Sequence, residues 1–150
     1  MIVLDSSVII EYIDLKGELH KTAEIIFENL NQGKLTGLIS HPTLAETYYV
    51  AQRIYGEIDP ENAKKKATLL INWLYSHPHL KVITDRIDLA ILAGEVKLNL
   101  KLALTDCYVL AISKIHNAKA IFKKREKEMQ NVIKKIEENF EIIFLEDYKE

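Results

Sequence analysis

Four acidic residues in this sequence have the types and positions expected of a divalent-cation site. Each follows a predicted strand or lies near the start of a predicted helix: Asp5, Glu46, Asp106, and Glu126 or Glu128. Two like charges about 4 Å apart repel by about 4 kcal/mol at an effective dielectric constant of about 20. A domain whose whole stability is about 5–15 kcal/mol cannot contain several such pairs uncompensated. Either some of these carboxyl groups are protonated, or a cation lies between them.

The candidate ligands favour Mg²⁺ or Mn²⁺ over Zn²⁺. They offer oxygen atoms only, and the five histidines of the chain show no metal-ligand spacing. Hard cations such as Mg²⁺ and Mn²⁺ prefer oxygen, whereas Zn²⁺ prefers nitrogen and sulfur. Bound Mg²⁺ or Mn²⁺ commonly activates water and stabilises phosphoryl charge. Metal-dependent cleavage of phosphodiester bonds is therefore the leading hypothesis.

The elements that must position these acids alternate between strand and helix. Strands are predicted at 2–5, 35–39, 81–84, 119–123 and 141–145, with helical segments between them. This order indicates βαβ units, and hence an α/β domain with a largely parallel sheet of four to five strands and helices on both faces. The carboxyl ends of parallel strands share one edge, where ligands bind. The acids are expected to meet at that edge.

Local signals predict where several helices begin. Asp5 ends the apolar run of the first strand, and Ser6 is predicted to cap a helix over 8–13. Ser40 followed by Pro42 predicts the start of the helix that carries Glu46.

A later helix, over 85–98, has an apolar face of its own. Asp85 is predicted to cap this helix, and the residues Ile87, Ile91, Gly94 and Leu98 share one face of it.

Composition is typical of a globular protein with one domain, 1–150, ending in a solvated tail at 146–150. Of the 150 residues, 48% are hydrophobic and 28% charged, and the net charge of −2 gives no overall attraction to nucleic acid, so binding must depend on local patches. The single cysteine, Cys107, excludes an internal disulfide and suits a reducing cytoplasm. No apolar run approaches about 20 residues, so no membrane span is expected.

Three short motifs together resemble the PIN domain. They are Asp5-Ser-Ser at the first strand, Ala45-Glu46 opening a middle helix, and Thr105-Asp106 heading a buried late helix. Their order and spacing are similar to those of the VapC-like ribonuclease toxins of type II toxin–antitoxin pairs, and the resemblance extends from Met1 to about Leu145.

The resemblance implies a ribonuclease with an RNA substrate and a cognate antitoxin protein as partner. It implies that Asp5, Glu46 and Asp106 bind Mg²⁺ or Mn²⁺ and position the attacking water, with Ser7 and Thr105 supporting them. It also implies a homodimer, for which the sequence offers four residues as apolar surface: Tyr48, Tyr49, Trp73 and Leu74.

The fourth acid departs from the family pattern. Members often have a Thr-x-Asp-x-Asp-Phe-like run after the fourth strand, where this chain has Lys124-Arg125-Glu126-Lys127-Glu128-Met129. Glu126 is predicted to be the fourth ligand, because it lies nearer the end of the strand than Glu128 does. Lys124 and Arg125 are candidates for contact with RNA phosphates.

There are three alternatives to a nuclease. One is a catalytically weak or inactive PIN fold that only binds RNA or a protein. A phosphoacceptor receiver domain would need paired acids after the first strand, and Ser6 and Ser7 follow Asp5 instead. A haloacid-dehalogenase-type phosphatase would need an acid at the position of Ser7.

Overall fold

A five-stranded parallel sheet forms the centre of the computed structural model, which describes residues 1–84 and 86–149. Its strands are β1 (Ile2–Leu4), β2 (Gly37–Ser40), β3 (Leu80–Ile83), β4 (Lys119–Phe122) and β5 (Ile142–Phe144). The order across the sheet is β3-β2-β1-β4-β5, and every neighbouring pair is parallel. In the register, Val3 of the central strand lies opposite Leu38 on one side and Ala120 on the other. The predicted α/β class and parallel sheet are confirmed.

Eight helices connect the strands in the described part of the chain. They are α1 (Ser6–Ile13), α2 (His20–Asn31), α3 (His41–Ile58), α4 (Ala63–Ser76), α5 (Ile87–Leu100), α6 (Leu104–His116), α7 (Lys127–Gln130) and α8 (Ile133–Asn139), and a short 3-10 helix, Leu145–Tyr148, follows β5. None of these described helices has the length and apolarity needed to cross a bilayer.

The sheet separates two hydrophobic cores, because successive side chains of a strand point to opposite faces. Ile2 and Leu4 of β1 pack into the core formed with α1, α2, α3 and α4. Val3, between them, packs into the core formed with α5, α6, α7 and α8. Helices therefore cover both faces, as predicted.

The first helix begins two residues earlier than predicted. Asp5 is its N-cap, with extended backbone angles (φ −82°, ψ 155°), and its side chain accepts a hydrogen bond from the Ser7 amide. Ser6 is consequently the first helical residue and not the cap. Ser40 does cap α3 as predicted, since its hydroxyl accepts from the Thr43 amide at 3.0 Å. The predicted cap of α5, Asp85, lies outside the described residues.

The apolar face predicted for helix α5 is not the face that it buries. Its core residues are Leu89, Ala93, Val96 and Leu100. The grouped residues Ile87, Ile91 and Leu98 instead have exposed fractions of 81%, 62% and 71%.

Two of the four residues predicted as apolar surface for a homodimer are not free surface in the structure. Leu74 is fully buried, and Tyr48 packs half-buried against the same core, so neither is free surface. Tyr49 is exposed, and Trp73 is partly exposed while stacking on Phe27.

Candidate active site

Three of the predicted acids, Asp5, Glu46 and Asp106, lie on elements that meet at the carboxyl edge of the sheet. Asp5 directly follows β1, and Glu46 lies in the second turn of α3, the helix that starts where β2 ends. Asp106 lies in the first turn of α6, which packs on β1, β2 and β4. Because β1 lies between β2 and β4, these elements converge around Asp5.

Asp5 is buried, with an exposed fraction of 4%, and its two oxygens differ. Oδ2 accepts from the Ser7 amide at 3.0 Å and from the Ser7 hydroxyl at 2.5 Å. Oδ1 is buried without a hydrogen-bond partner among the described residues. A buried polar atom without a partner costs about 1–3 kcal/mol, and more if charged, so its presence requires an explanation.

Glu46 is fixed by hydroxyl groups from two other elements. The Ser6 hydroxyl, from α1, donates to its Oε1. The Thr105 hydroxyl, from α6, donates to its Oε2 at 3.2 Å. Glu46 thereby joins the helix that follows Asp5 to the helix that carries Asp106. Thr105 contacts Glu46 directly, and its supporting role stays a prediction. Ser6, predicted from sequence only as a helix cap, is a further partner of Glu46.

The pKa values of the two aspartates show that the acids interact. Burial raises the pKa of Asp5 from 3.8 to about 6, with a further increase from the charge of Glu46, against the lowering effect of the hydrogen bonds from Ser7. Burial also raises the pKa of Asp106 from 3.8 to about 8, and the charges of Asp5, Glu46, Glu128 and Glu126 add to it in decreasing order. Desolvation and like charges both disfavour the ionised form. At neutral pH, Asp106 is therefore largely protonated when no cation is bound.

Both candidates for the fourth acid lie at the start of α7. Glu126 is the N-cap residue of that helix, but its side chain makes no capping hydrogen bond. Glu128 lies in the first turn. Both are exposed, and both raise the pKa of Asp106, Glu128 more than Glu126. The choice of Glu126 stays a prediction, with Glu128 as its competitor.

A family model described as the PIN domain matches residues 2–135. The chain belongs to the PIN domain family. No curated protein sequence matches it. The match covers every acid discussed above, so the resemblance inferred from three short motifs is confirmed.

Several solved structures similar to this PIN domain are described as toxins or toxin–antitoxin complexes. One is a toxin–antitoxin complex from Klebsiella pneumoniae, with 14% identity and a TM-score of 0.64, covering 97% of this chain and 98% of that chain. Another is VapC20 of Mycobacterium tuberculosis, described as a toxin that cleaves the sarcin–ricin loop (15% identity, TM-score 0.64, covering 80% and 87%). A third is VapBC2 from Rickettsia felis bound to promoter DNA (16% identity, TM-score 0.64, covering 96% and 98%). At these identities the likeness shows a shared fold.

The residues of this PIN domain fit a divalent cation. Within residues 1–84 and 86–149, no three His, Cys, Asp or Glu side chains are already grouped as a cation site. The unpartnered Oδ1 of Asp5 is an open ligand position, and the surrounding donors are carboxylate and hydroxyl oxygens, as Mg²⁺ and Mn²⁺ prefer.

The two basic residues predicted to contact RNA have different surroundings in the PIN domain. Lys124 is exposed. The guanidinium of Arg125 donates to both carboxylate oxygens of Asp147 at 2.8 Å and to Glu146 at 3.0 Å, and it lies 4.1 Å from the ring centre of Phe144. Arg125 thus binds the C-terminal turn, whose residues the sequence analysis described only as a solvated tail.

Proposed function

We propose that this PIN domain is a Mg²⁺- or Mn²⁺-dependent endoribonuclease that hydrolyses RNA phosphodiester bonds. The observation that carries the proposal is the buried, unpartnered Oδ1 of Asp5 in a group of acids where burial, and then the neighbouring negative charges, raise the pKa of Asp106 to about 8. Such a group needs either protons or a cation for charge balance. Membership of the PIN family and the toxin-type fold support the cation and a nuclease activity.

Each side chain has a definite part in this proposal. The cation would be held by four carboxylates: Asp5, Glu46, Asp106 and Glu126. When bound, it would lower the pKa of a water molecule and stabilise the charge on a phosphoryl oxygen. Ser7 binds Oδ2 of Asp5, which leaves Oδ1 for the cation.

Further residues orient the ligands and the substrate. Ser6 and Thr105 fix the orientation of Glu46 through their hydroxyl groups. Lys124, exposed at the edge of the site, would contact an RNA phosphate.

Asp5→Asn tests the proposal directly. Asparagine keeps the size of the side chain but removes the charge that the cation needs. Loss of a residue that only orients a ligand costs about 10–100-fold, so we expect loss of this direct ligand to lower cleavage of single-stranded RNA with Mn²⁺ by at least about 100-fold. DNA of the same sequence should be cleaved poorly. Asp14→Asn, at the other end of α1, is the matched control and should cleave like wild type. A wild type that cleaves no RNA with Mn²⁺ would contradict the proposal.

A second candidate function is an RNA- or protein-binding module without catalysis. The observation in its favour is the fourth position, where both acids are exposed glutamates with one methylene more than aspartate. Such a module would bind RNA equally well with and without Mn²⁺ and would leave it intact. Binding and cleavage measured on the same labelled RNA distinguish the two functions.

We also propose that the protein is the toxin of a type II pair, neutralised by a small antitoxin and acting as a homodimer in the cytoplasm. The similar structures include a toxin–antitoxin complex and a VapBC pair, which supports a protein partner. A short antitoxin-like reading frame immediately upstream of this one would support the pairing, and rescue of growth by its co-expression would test it.

A further inference from the structure

A second buried carboxylate lies on α1, one helical turn beyond Ser7. The side chain of Glu11 is 2% exposed, and its Oε2 lies 2.8 Å from Nζ of Lys123. Its Oε1 accepts from the Leu19 amide at 2.6 Å. The Lys123 side chain is 32% exposed, so the pair joins a buried carboxylate to a half-buried ammonium group. Burying the Glu11 charge is costly, and losing Lys123 would leave it uncompensated, so this carboxylate calls for a reason beyond stability.

The connection between α1 and α2 is shaped around this carboxylate. A Cβ atom at Gly17 would collide with Oε1 of Glu11, so a larger residue there would displace the carboxylate from its present position. The ring nitrogen Nδ1 of His20 lies 3.2 Å from the backbone oxygen of Glu11. Glu11 therefore has a fixed position, with little space to turn away from Lys123.

Lys123 links this carboxylate to the candidate active site. It follows β4 directly, and its backbone amide donates to the Ser7 hydroxyl at 3.0 Å. Ser7 and Glu11 are four residues apart, so they lie on the same face of α1 and bind Lys123 at two points. The carbonyl of Lys123 accepts from the Glu146 amide at 3.1 Å, which fixes the residue from the other side.

Both sides of the site depend on this arrangement. The Ser7 hydroxyl that accepts from Lys123 donates in turn to Oδ2 of Asp5 at 2.5 Å. The segment after Lys123 leads directly into Glu126 and Glu128, whose charges act on Asp106. A pair that only joined α1 to β4 would not need the contact between the Lys123 amide and Ser7.

We propose that Glu11 and Lys123 are positioning residues of the nuclease site. Their ion pair fixes the segment after β4, so that Ser7 orients Asp5 and the acids of α7 reach Asp106. The inference rests on the proposed function in treating these acids as catalytic. The restraint that the ion pair places on residues 123–129 does not depend on that function and can be measured without metal or RNA.

Glu11→Gln is the principal test. Glutamine can still accept from the Leu19 amide, but it removes the negative charge facing Lys123, so the fold persists while the pair is lost. In metal-free protein, we expect the amides of residues 123–129 to exchange with deuterium faster relative to those of β2. We further expect Mn²⁺ affinity and kcat for RNA to fall by roughly tenfold with an unchanged KM, as when residues that orient metal ligands are lost. The double variant Glu11→Gln/Lys123→Met, which leaves no unpaired buried charge, should behave in the same way.

Ser113→Ala is the matched control for a general loss of stability. The buried Ser113 hydroxyl donates to the Ala118 carbonyl at 2.6 Å at the other end of α6, so its loss should lower stability and leave the 123–129 segment, Mn²⁺ affinity and kcat unchanged. Lys123→Arg keeps the charge and should retain most of the wild-type kcat.

Three results separate the inference from the proposed function. Unchanged amide hydrogen exchange of residues 123–129 in both Glu11 variants would show that the ion pair does not restrain this segment. Faster exchange with wild-type Mn²⁺ affinity and kcat would overturn the positioning role. If wild type neither binds Mn²⁺ nor cleaves RNA, the proposed function fails. Faster amide exchange of residues 123–129 in Glu11→Gln would still support the restraint of that segment by the ion pair.

Discussion

Ser6 and Ser7 are adjacent in the chain but serve different carboxylates. Helical residues advance by about 100° each, so neighbouring side chains point in clearly different directions. Ser6 donates to Glu46, whereas Ser7 donates to Asp5 and accepts from the Lys123 amide. One helical turn and its cap thus contain the proposed ligand Asp5 and two serines that hold the carboxylates of Asp5 and Glu46 in place. Alanine at either serine would disturb a different acid, although both are conservative changes in size.

The stability of the metal-free protein should decrease as pH rises, because folding raises the pKa of two aspartates. The unfolded chain ionises these groups near 3.8, the folded chain near about 6 for Asp5 and about 8 for Asp106. Their contribution to the free energy of unfolding is fully present below the pKa of the unfolded state. It is lost as pH rises through the pKa values of the folded state. We expect the free energy of unfolding in urea with a chelator to fall between about pH 4 and pH 9, and Asp106→Asn to remove most of the fall above about pH 7.

Added Mn²⁺ should have the opposite pH dependence. A cation needs ionised carboxylates, so its stabilising effect should grow as pH rises. Asp106→Asn should reduce this stabilisation, while Asp14→Asn should follow wild type. Curves of stability against pH that are parallel for wild type and Asp106→Asn would show that Asp106 ionises normally in the folded state.

The two glutamates of α7 can be separated by neutralising each. Glu126→Gln should lower metal-dependent RNA cleavage by at least about tenfold, equivalent to about 1.4 kcal/mol in the barrier, because its carboxylate makes no capping bond and is available to the cation. Glu128→Gln should change the rate little but lower the pKa of Asp106 by the larger amount, since its charge raises that pKa more. Rates and NMR titration measure the two effects. A loss of cleavage in Glu128→Gln alone would assign the fourth ligand to Glu128.

At the scale of single elements, α5 is apolar on two faces. One face packs into the core, while three large apolar residues lie exposed on another: Ile87, Ile91 and Leu98. A Cβ at Gly94, on that exposed side, would have no atom within 4 Å, so another helix could approach closely there. This face is a better candidate for the proposed homodimer contact than the surface inferred from sequence.

Ile91→Lys should therefore convert a dimer to a monomer. The substitution places a charge on the exposed face of α5 without touching the core, so the fold should be retained while the contact is lost. Leu69→Lys, at an equally exposed position on α4, is the control and should remain dimeric. Light scattering over a range of micromolar concentrations gives the masses. A wild type that is monomeric throughout would contradict the homodimer.

The case of α5 also shows where sequence reasoning fails at this scale. An apolar residue recurs on more than one face, so periodicity groups Ile87 with Ile91 as readily as Leu89 with Ala93. Nothing in the chain itself distinguishes a buried apolar face from an exposed one. By contrast, Ile2, Val3 and Leu4 form a short unbroken apolar run that ends at Asp5, and a run of that length favours a strand buried on both faces.

For the molecule as a whole, the parallel sheet and its carboxyl-edge site could be predicted from sequence. Alternating strands and helices leave few topologies, and any of them brings Asp5, Glu46 and Asp106 to one edge. The contacts of Glu11 and Lys123 could not be predicted, because they join residues far apart in the chain whose types are common on surfaces. The partners of Arg125 could not be predicted either. The sequence suggests a contact with RNA phosphates, and the structure shows its guanidinium bound to Glu146 and Asp147.

The central position of β1 has a consequence for the order in which the protein can form. Ile2 pairs with Gly37 on one side and with Lys119 on the other. The hydrogen bonds of β1 on the second side therefore cannot form until β4, which is synthesised much later, is present. Pairings this distant in sequence are slow to form. During synthesis, β1, β2 and β3 can associate early, but Ser7 meets the Lys123 amide only once β4 has emerged. The contact that orients Asp5 through Ser7 is therefore completed only after most of the chain has been synthesised.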